Sequence, residues 1–433
     1  MKRLITFLLL LPIFANAITP VYLCGFECGV TNINLHWTSI TGTASFQTGT
    51  VRNGARAGRC NPSAATGYFQ TPTFTSSSIW VVRFYIRFAT LPNANCAVLQ
   101  IANSANCGVY FKQSDSKLYP GSDNGSVTFG ATGTTVTTGV WYRIDVRVDL
   151  TNNPNTVDLQ VNGSSQTQHT LAVAAGNTFA FRIGDIGVTG NTTNTADFYI
   201  DDVIVSNTSG DYPIGPGYVN HFVPTSDGTH NVAGLNDFER SATGTDILNA
   251  TTTAWQLIDD VPLKSGVAAE YINLVAPPNA TDYVELKFGP ASGISTPTTA
   301  PRIVSAIFAY ANATSGTNNL RIAINDNGTT NDVFNGNAAT TGTTIIYTAK
   351  SYSDPPSAAS VWTLSGNGNF NNVRMRCYTS DASPDPWLAS AMIEAEFQEQ
   401  GTLPHRIKII SKNKNKEKAS YTTSVYVLPD CPK

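Results

Sequence analysis

Charge is what this chain has least of. Asp, Glu, Lys and Arg make up only 13% of its 433 residues, about half the usual share of a soluble domain. Lys, Glu and Leu, which ordinarily fill surface helices, give way to Thr, Asn, Ser and Gly, and that shift argues against a helical protein. The net charge of −3 offers no basic excess for phosphates, so no nucleic acid partner is expected. Catalytic signatures are missing too. There is no His-Glu-x-x-His, no Gly-x-Ser-x-Gly and no Gly-rich phosphate loop, so zincin, serine-hydrolase and P-loop chemistry lack their residues.

The apolar run at residues 5–14 is too short for a membrane-spanning helix, which takes roughly 20 residues. It is preceded by Lys2 and Arg3 and followed by Ala15-Asn16-Ala17, the order of a cleavable signal peptide. Residues 1–17 are therefore expected to direct export, with the mature chain starting near Ile18 and no transmembrane segment left after cleavage. The expected location is extracellular or at a cell surface. Hydrophobic residues at 41% exclude a disordered polypeptide, since that much apolar surface can offset chain entropy. With 34 Gly and 23 Pro between Thr-, Val- and aromatic-rich runs, the composition reads as short strands joined by turns.

Trp80, Val82, Phe84, Ile86 and Phe88 alternate with Val81, Arg83, Tyr85 and Arg87, the period of a half-buried antiparallel strand. Tyr142, Ile144, Val146 and Val148 alternate with Arg143, Asp145, Arg147 and Asp149 in the same way, suggesting an exposed face of paired charges. After a polar loop, Val157, Leu159 and Val161 lead into Asn162-Gly163, a strong hairpin signal. Strands of this kind suit a sandwich sheet. The expected fold is all-β: two antiparallel β-sandwich (jelly-roll) domains in tandem, at residues 18–207 and 218–400. Residues 208–217, rich in Gly and Pro, read as a linker. In the second block the expected strands are 281–288, 302–311, 320–324, 343–348 and 389–397, with short helices only near 233–236 and 371–375.

The stretch from Gly139 through Trp141 to Asp149, continued from Val157 to Asn162-Gly163, resembles the laminin-G-like and concanavalin A-like lectin/glucanase jelly rolls. Phe198-Tyr-Ile-Asp-Asp-Val-Ile-Val205 is similar to the last strand of such a domain, and Gly25-Phe-Glu-Cys-Gly29 to its first. The resemblance implies two antiparallel sheets and a role in glycan or protein adhesion. It also implies a structural Ca²⁺ held by an early Glu and a late Asp, here Glu27 with Asp201 and Asp202; hard oxygen ligands suit that ion. The alternative is that Asp202 caps a turn and Glu27 pairs with an Arg. The second block, with its Trp255 and Trp387 motifs, resembles the second sandwich of two-domain phage virion-surface proteins.

Seven cysteines are present. Cys96 and Cys107 flank a hairpin-sized segment and are the expected disulfide, while Cys60 is placed to meet Cys24 or Cys28. An odd total leaves at least one thiol unpaired, and Cys24-x3-Cys28 has no second pair at zinc-finger distance. The last 33 residues carry seven Lys/Arg against two acids, a net +5, and read as a solvated basic tail or one that meets an anionic surface.

Glycan-binding folds stack exposed aromatics on sugar rings. The aromatics considered are Trp37, Tyr68, Tyr85, Tyr110, Tyr119 and Tyr199. Tyr85, whose phase is opposite to the core residues, leads, with Tyr110 and Tyr119 beside it. A glycosidase of this fold class needs paired carboxylates about 5–5.5 Å apart when retaining, and the first domain shows no such spacing. Glu394 and Glu396 fit an outward strand face, and His221 and His230 have Asp227 as a loop neighbour. The chain reads as a non-catalytic carbohydrate-binding or adhesion protein whose partner is a glycan or cell-surface polymer. The alternatives are a structural surface component that self-associates, such as a virion appendage or filament subunit, and, last, a glycoside hydrolase.

Overall fold

The computed structural model turns these alternating segments into antiparallel sheets. It describes residues 18–29, 36–75, 77–101, 106–151, 154–171, 180–231, 239–240, 254–259, 263, 271–273, 283–312, 315–326, 329–341, 346–357, 361–366, 368–379 and 386–399. The leader at 1–17, the basic tail and the short helix expected at 233–236 lie outside these.

Two large sheets lie within residues 20–206, beside a two-stranded one that joins Asn194–Thr195 to Ser63–Ala65. The first orders its strands Ser164–Ser165, Thr156–Val161, Trp141–Asp149, Ile79–Thr90, Asp197–Ser206, Ala57–Cys60 and Ala44–Gln47, with Pro20–Cys24 also paired to Asp197–Ser206. The second runs Val127–Phe129, Lys117–Asp123, Cys107–Lys112, Cys96–Ile101, Phe181–Ile186, Gly67–Gln70 and Ser39–Gly42. Their facing sides share one apolar core, in which Trp80 meets Phe181 and Phe88 meets Phe111. The arrangement is a β-sandwich. Its Asn162-Gly163 hairpin closes Val161 against Ser164 with both turn residues at positive φ, 51° and 83°, as a two-residue primed turn requires.

The opening strand departs from expectation. Pro20–Cys24 forms it, while the Gly25–Gly29 segment is a turn: Phe26 adopts φ 64° and the Gly29 N–H donates to the Phe26 carbonyl. The strand still lies beside the last one, Leu23 opposite Ile204 and Cys24 opposite Val203.

The third sheet, residues 217–398, orders Glu239–Arg240, Ile272–Asn273, Pro386–Gln398, Gly217–Asp227, Val284–Pro290, Val373–Thr379, Ser315–Asp326 and Thr329–Thr341; Ile303–Asn312 joins Pro386–Gln398 and carries Ile346–Tyr352. Its core gathers Phe222, Leu286, Phe308, Ile322, Met375 and Phe397. The Thr329–Thr341 strand is polar and without alternation, which is why the sequence does not announce it. Residues 371–375 hold only the end of a 3-10 turn, Phe370–Asn372, before the strand resumes.

The three large sheets fall in one compact unit, residues 1–399. The reason lies on the outer face of the first sheet. There Leu23, Val81 and Ile204 pack with Ile214, Val219 and Ile303 from the second half of the chain. The strand Ile79–Thr90 is consequently buried on both faces from Trp80 to Ile86. Among the described residues no helix is long and apolar enough to cross a membrane.

Candidate functional site

The acidic residues singled out in the sequence do converge, but at the seam between the halves. The Asp197–Ser206 strand bulges between Asp201 and Ile204, and Asp202 takes φ 54°. Bulges re-aim side chains, and here two consecutive carboxylates turn inward. Asp202 accepts from Val219 N–H (2.7 Å) and pairs with Arg52 (2.5 Å). Asp201 accepts from the backbone of Arg52 and Asp202. Glu27 accepts from Ala55 N–H with both oxygens at 3.0 Å, and His221 Nδ1 lies 3.0 Å away. These carboxylates thus take their donors from the protein, and a guanidinium supplies the positive charge. With the Arg52 guanidinium already seated on Asp202, that donor set does not fit a calcium ion, which would meet a second cation at the same carboxylates.

Glu394 and Glu396, expected on an outward face, are fully buried in the seam. Glu396 receives Arg83 at 2.6 Å and Arg302 at 2.8 and 2.5 Å. Burial opposes its charge, yet Arg302 and Arg83 hold the carboxyl below its ordinary value. Among the described residues Glu394 accepts from the Gly25 and Glu27 backbone. Burial first, then the nearby Glu27 and Asp202 charges, push it up to about 8. Asp145, expected on an exposed charged face, is also buried, pairing with Arg143 and accepting from Gly215 N–H. His221 turns to Glu27 rather than joining His230, which lies 3.8 Å from Asp227.

None of the three leading tyrosines presents an open ring. Tyr85 does point away from the sandwich core, but the third sheet covers it. It is 5% exposed, its hydroxyl accepts from Gly217 N–H, and the Arg52 guanidinium stands 3.4 Å from the ring centre. Tyr110 is fully buried and donates to the Asn106 carbonyl. Tyr119, its cross-strand partner, bonds Asp115 and packs on the edge of Phe129.

The disulfide expectation is also corrected. Cys24, Cys60, Cys96, Cys107 and Cys377 are all buried, and among the described residues none of them is in a disulfide. Cys96 stands opposite Phe111 and Cys107 opposite Ile101, so five residues of strand, about 16 Å, separate the two. A disulfide needs Cα atoms within roughly 7 Å.

What stays open is the far end of the same outer face. Trp141 pairs with Arg87, Arg87 with Tyr199, Tyr199 with Arg59 and Arg59 with Ser45, a row crossing five strands. Trp141, Arg87, Tyr199 and Arg59 are each part-exposed. The guanidinium carbons of Arg59 and Arg87 lie 5.6 and 5.9 Å from the Tyr199 ring centre, within cation–π range. Arg59 is held by a two-pronged bond to Asp197, 2.9 Å on each arm, and Arg87 donates to the Gly139 carbonyl. Two aromatic faces and two braced cations therefore share one pleated surface. The sequence offers Tyr199 as a candidate aromatic and Trp141 as the opening residue of a strand.

The protein is all-β and carries this row on its outer face. No protein-family model matches the chain, and no curated protein is significantly similar to it. Solved structures overlap with it only weakly. The tandem CBM22-1-CBM22-2 domain of Paenibacillus barcinonensis Xyn10C is 8% identical, covering 88% of this chain and 98% of its own, with a TM-score of 0.26. Domain 4 of AbnA, a GH43 extracellular arabinanase from Geobacillus stearothermophilus solved with arabinotriose, is 14% identical over 44% and 96%, with a TM-score of 0.28. Trypanosoma rangeli sialidase is 12% identical over 35% of this chain, at a TM-score of 0.24, and the chain spans 25% of that enzyme and 16% of a second sialidase. Scores this low establish no shared topology.

Proposed function

We propose that the chain is a non-catalytic binding protein that holds a glycan, or a comparable cell-surface polymer, on the open row Trp141–Arg87–Tyr199–Arg59. The row carries the reading. Trp141 and Tyr199 sit two strands apart, roughly 9.6 Å, so one extended chain of sugar rings can lie across both. Each ring offers an apolar C–H face to an aromatic, while Arg87, Arg59 and Asp197 supply donors and acceptors for hydroxyls. Because Asp197 already holds Arg59, little side-chain entropy is lost on binding. The resemblance to concanavalin A-like and laminin-G-like domains points the same way, and the export pattern at residues 1–17 agrees with a partner outside the cell.

A competing reading makes the row a cross-strand ladder serving only the sheet, since such pairs contribute roughly 0.2–1 kcal/mol each. Glycan-array screening followed by calorimetry separates the two. Trp141→Ala and Tyr199→Ala should each weaken binding at least about tenfold, the loss of some 1.4 kcal/mol, with little change in melting. Undiminished affinity in both variants defeats the proposal. Release of reducing ends from the bound polysaccharide would make the chain a hydrolase instead.

A further inference from the structure

We propose that Cys24, His36 and Glu394 form a site for a divalent transition-metal ion of the zinc class, binding the opening strand of the chain to the strand Pro386–Gln398. The three side chains present a sulfur, a ring nitrogen and a carboxylate oxygen that all lie within 4.8 Å of one another. Thiolate, imidazole and carboxylate are the ligand types zinc takes. A tetrahedral ion would draw these atoms to roughly 3.3–3.6 Å apart, given ligand distances of about 2.3 Å to sulfur and 2.0–2.2 Å to nitrogen and oxygen. The closing movement is about 1 Å, within the reach of side-chain rotation.

His36 is the independent pointer. It is 2% exposed, and among the described residues neither of its ring nitrogens has a hydrogen-bond partner. Its carbonyl is occupied by the Tyr22 hydroxyl at 2.5 Å, which fixes the backbone. Buried polar groups are nearly always bonded, and leaving an imidazole bare in a dry site costs stability. A metal ion removes that cost at one nitrogen. The other two ligands are braced as such ligands commonly are. The Phe26 N–H, turned back by the positive φ of Phe26, donates to Cys24 Sγ at 3.3 Å. Gly25 and Glu27 N–H groups hold the two oxygens of Glu394. One Cys thiolate and one carboxylate balance a dication. On binding, the Cys24 thiol gives its proton to solvent.

The ligands stand 12 and 370 positions apart along the chain, so no finger spacing could disclose them. The inference does not depend on glycan binding, since the row Trp141–Arg59 lies at the other end of the sheet face.

The test uses the full chain, purified with its thiols reduced. After dialysis against zinc it should retain about one ion per chain by elemental analysis, and chelation should lower the melting midpoint. Cobalt in place of zinc should give a thiolate-to-metal charge-transfer band together with the visible bands of a tetrahedral ion. Cys24→Ser and His36→Gln should each weaken metal binding by about tenfold or more, while Cys60→Ser, another buried thiol, should leave it intact. Should the variants fail to fold, the wild-type cobalt spectrum decides alone. No retained zinc, a cobalt spectrum without the thiolate band, or a disulfide at Cys24 in the freshly purified chain overturns the proposal.

Discussion

Tyr85 and Tyr199 lie on neighbouring strands of one sheet and point the same way, yet they have opposite fates. Tyr85 is sealed beneath Gly217 and stacked by Arg52, whereas Tyr199 stands in an open row beside Trp141 and Arg59. Alternation along a strand reports which face a residue is on. It says nothing about whether another layer of protein arrives to cover that face. The covered half converts its charged residues into a buried ionic seam, and the open half keeps its charged residues beside aromatic rings at the surface.

The largest effect should come from breaking the covered half. Arg83→Ala leaves Glu396 buried against Arg302 alone, and removing one partner of a buried pair typically costs about 3–5 kcal/mol. Urea unfolding of the variant should show that loss; a change under about 1 kcal/mol would mean that the seam is wetter than its geometry. Replacing Arg83, Arg302 and Glu396 together by Met and Leu should restore most of the stability, because apolar substitutes for a whole buried ionic group are often tolerated.

The next effect probes burial within the sandwich itself. Asp185, beside Cys60 and Cys96, is pushed by burial up to about 7. Folding favours its protonated form, so its contribution is fully present below the ordinary carboxylate pKa and is lost as pH rises from about 4 to about 7. The stability difference between wild type and Asp185→Asn should change by a few kcal/mol across that window. A flat difference would place Asp185 in contact with solvent.

Smaller effects sharpen the contrast between the two tyrosines. Tyr85→Phe deletes only the bond from Gly217 and should cost about 0.5–1.5 kcal/mol while leaving glycan affinity unchanged. Tyr199→Phe or Trp141→Ala should shift stability by less than about 1 kcal/mol, and Trp141→Ala should abolish most binding. If Tyr85→Phe, and not Trp141→Ala, weakened binding, the ligand would sit at the seam.

Much of the fold was legible in the residues. Trp80 to Phe88 and Tyr142 to Val148 pair as their alternation requires, and the Asn162-Gly163 turn sets the expected register. The adjacency of first and last strands, inferred from the resemblance, also appears. The candidate site was less legible, for identifiable reasons. Cys96 and Cys107 flank a hairpin, but proximity in sequence does not give register, and the pairing sets them at opposite ends. Glu394 and Glu396 were read as solvent-facing because their neutralising partners, Arg83 and Arg302, are remote in sequence. Trp141 escaped notice as a surface residue because an aromatic at a strand's start is ordinarily core.

Arg83 and Glu396 are separated by 313 positions. At roughly 5–20 residues per second, a ribosome reaches the glutamate about 15–60 seconds after it has finished the arginine. Through that interval Ile214 and Val219 are already at hand to cover Val81 and Ile204, but Arg83 has no Glu396 to pair with. The first sandwich can close its own core early, while the charge on its back stays unpaired until the strand Pro386–Gln398 is made. Premature termination before that strand would therefore leave a folded sandwich with an unpaired guanidinium on its back.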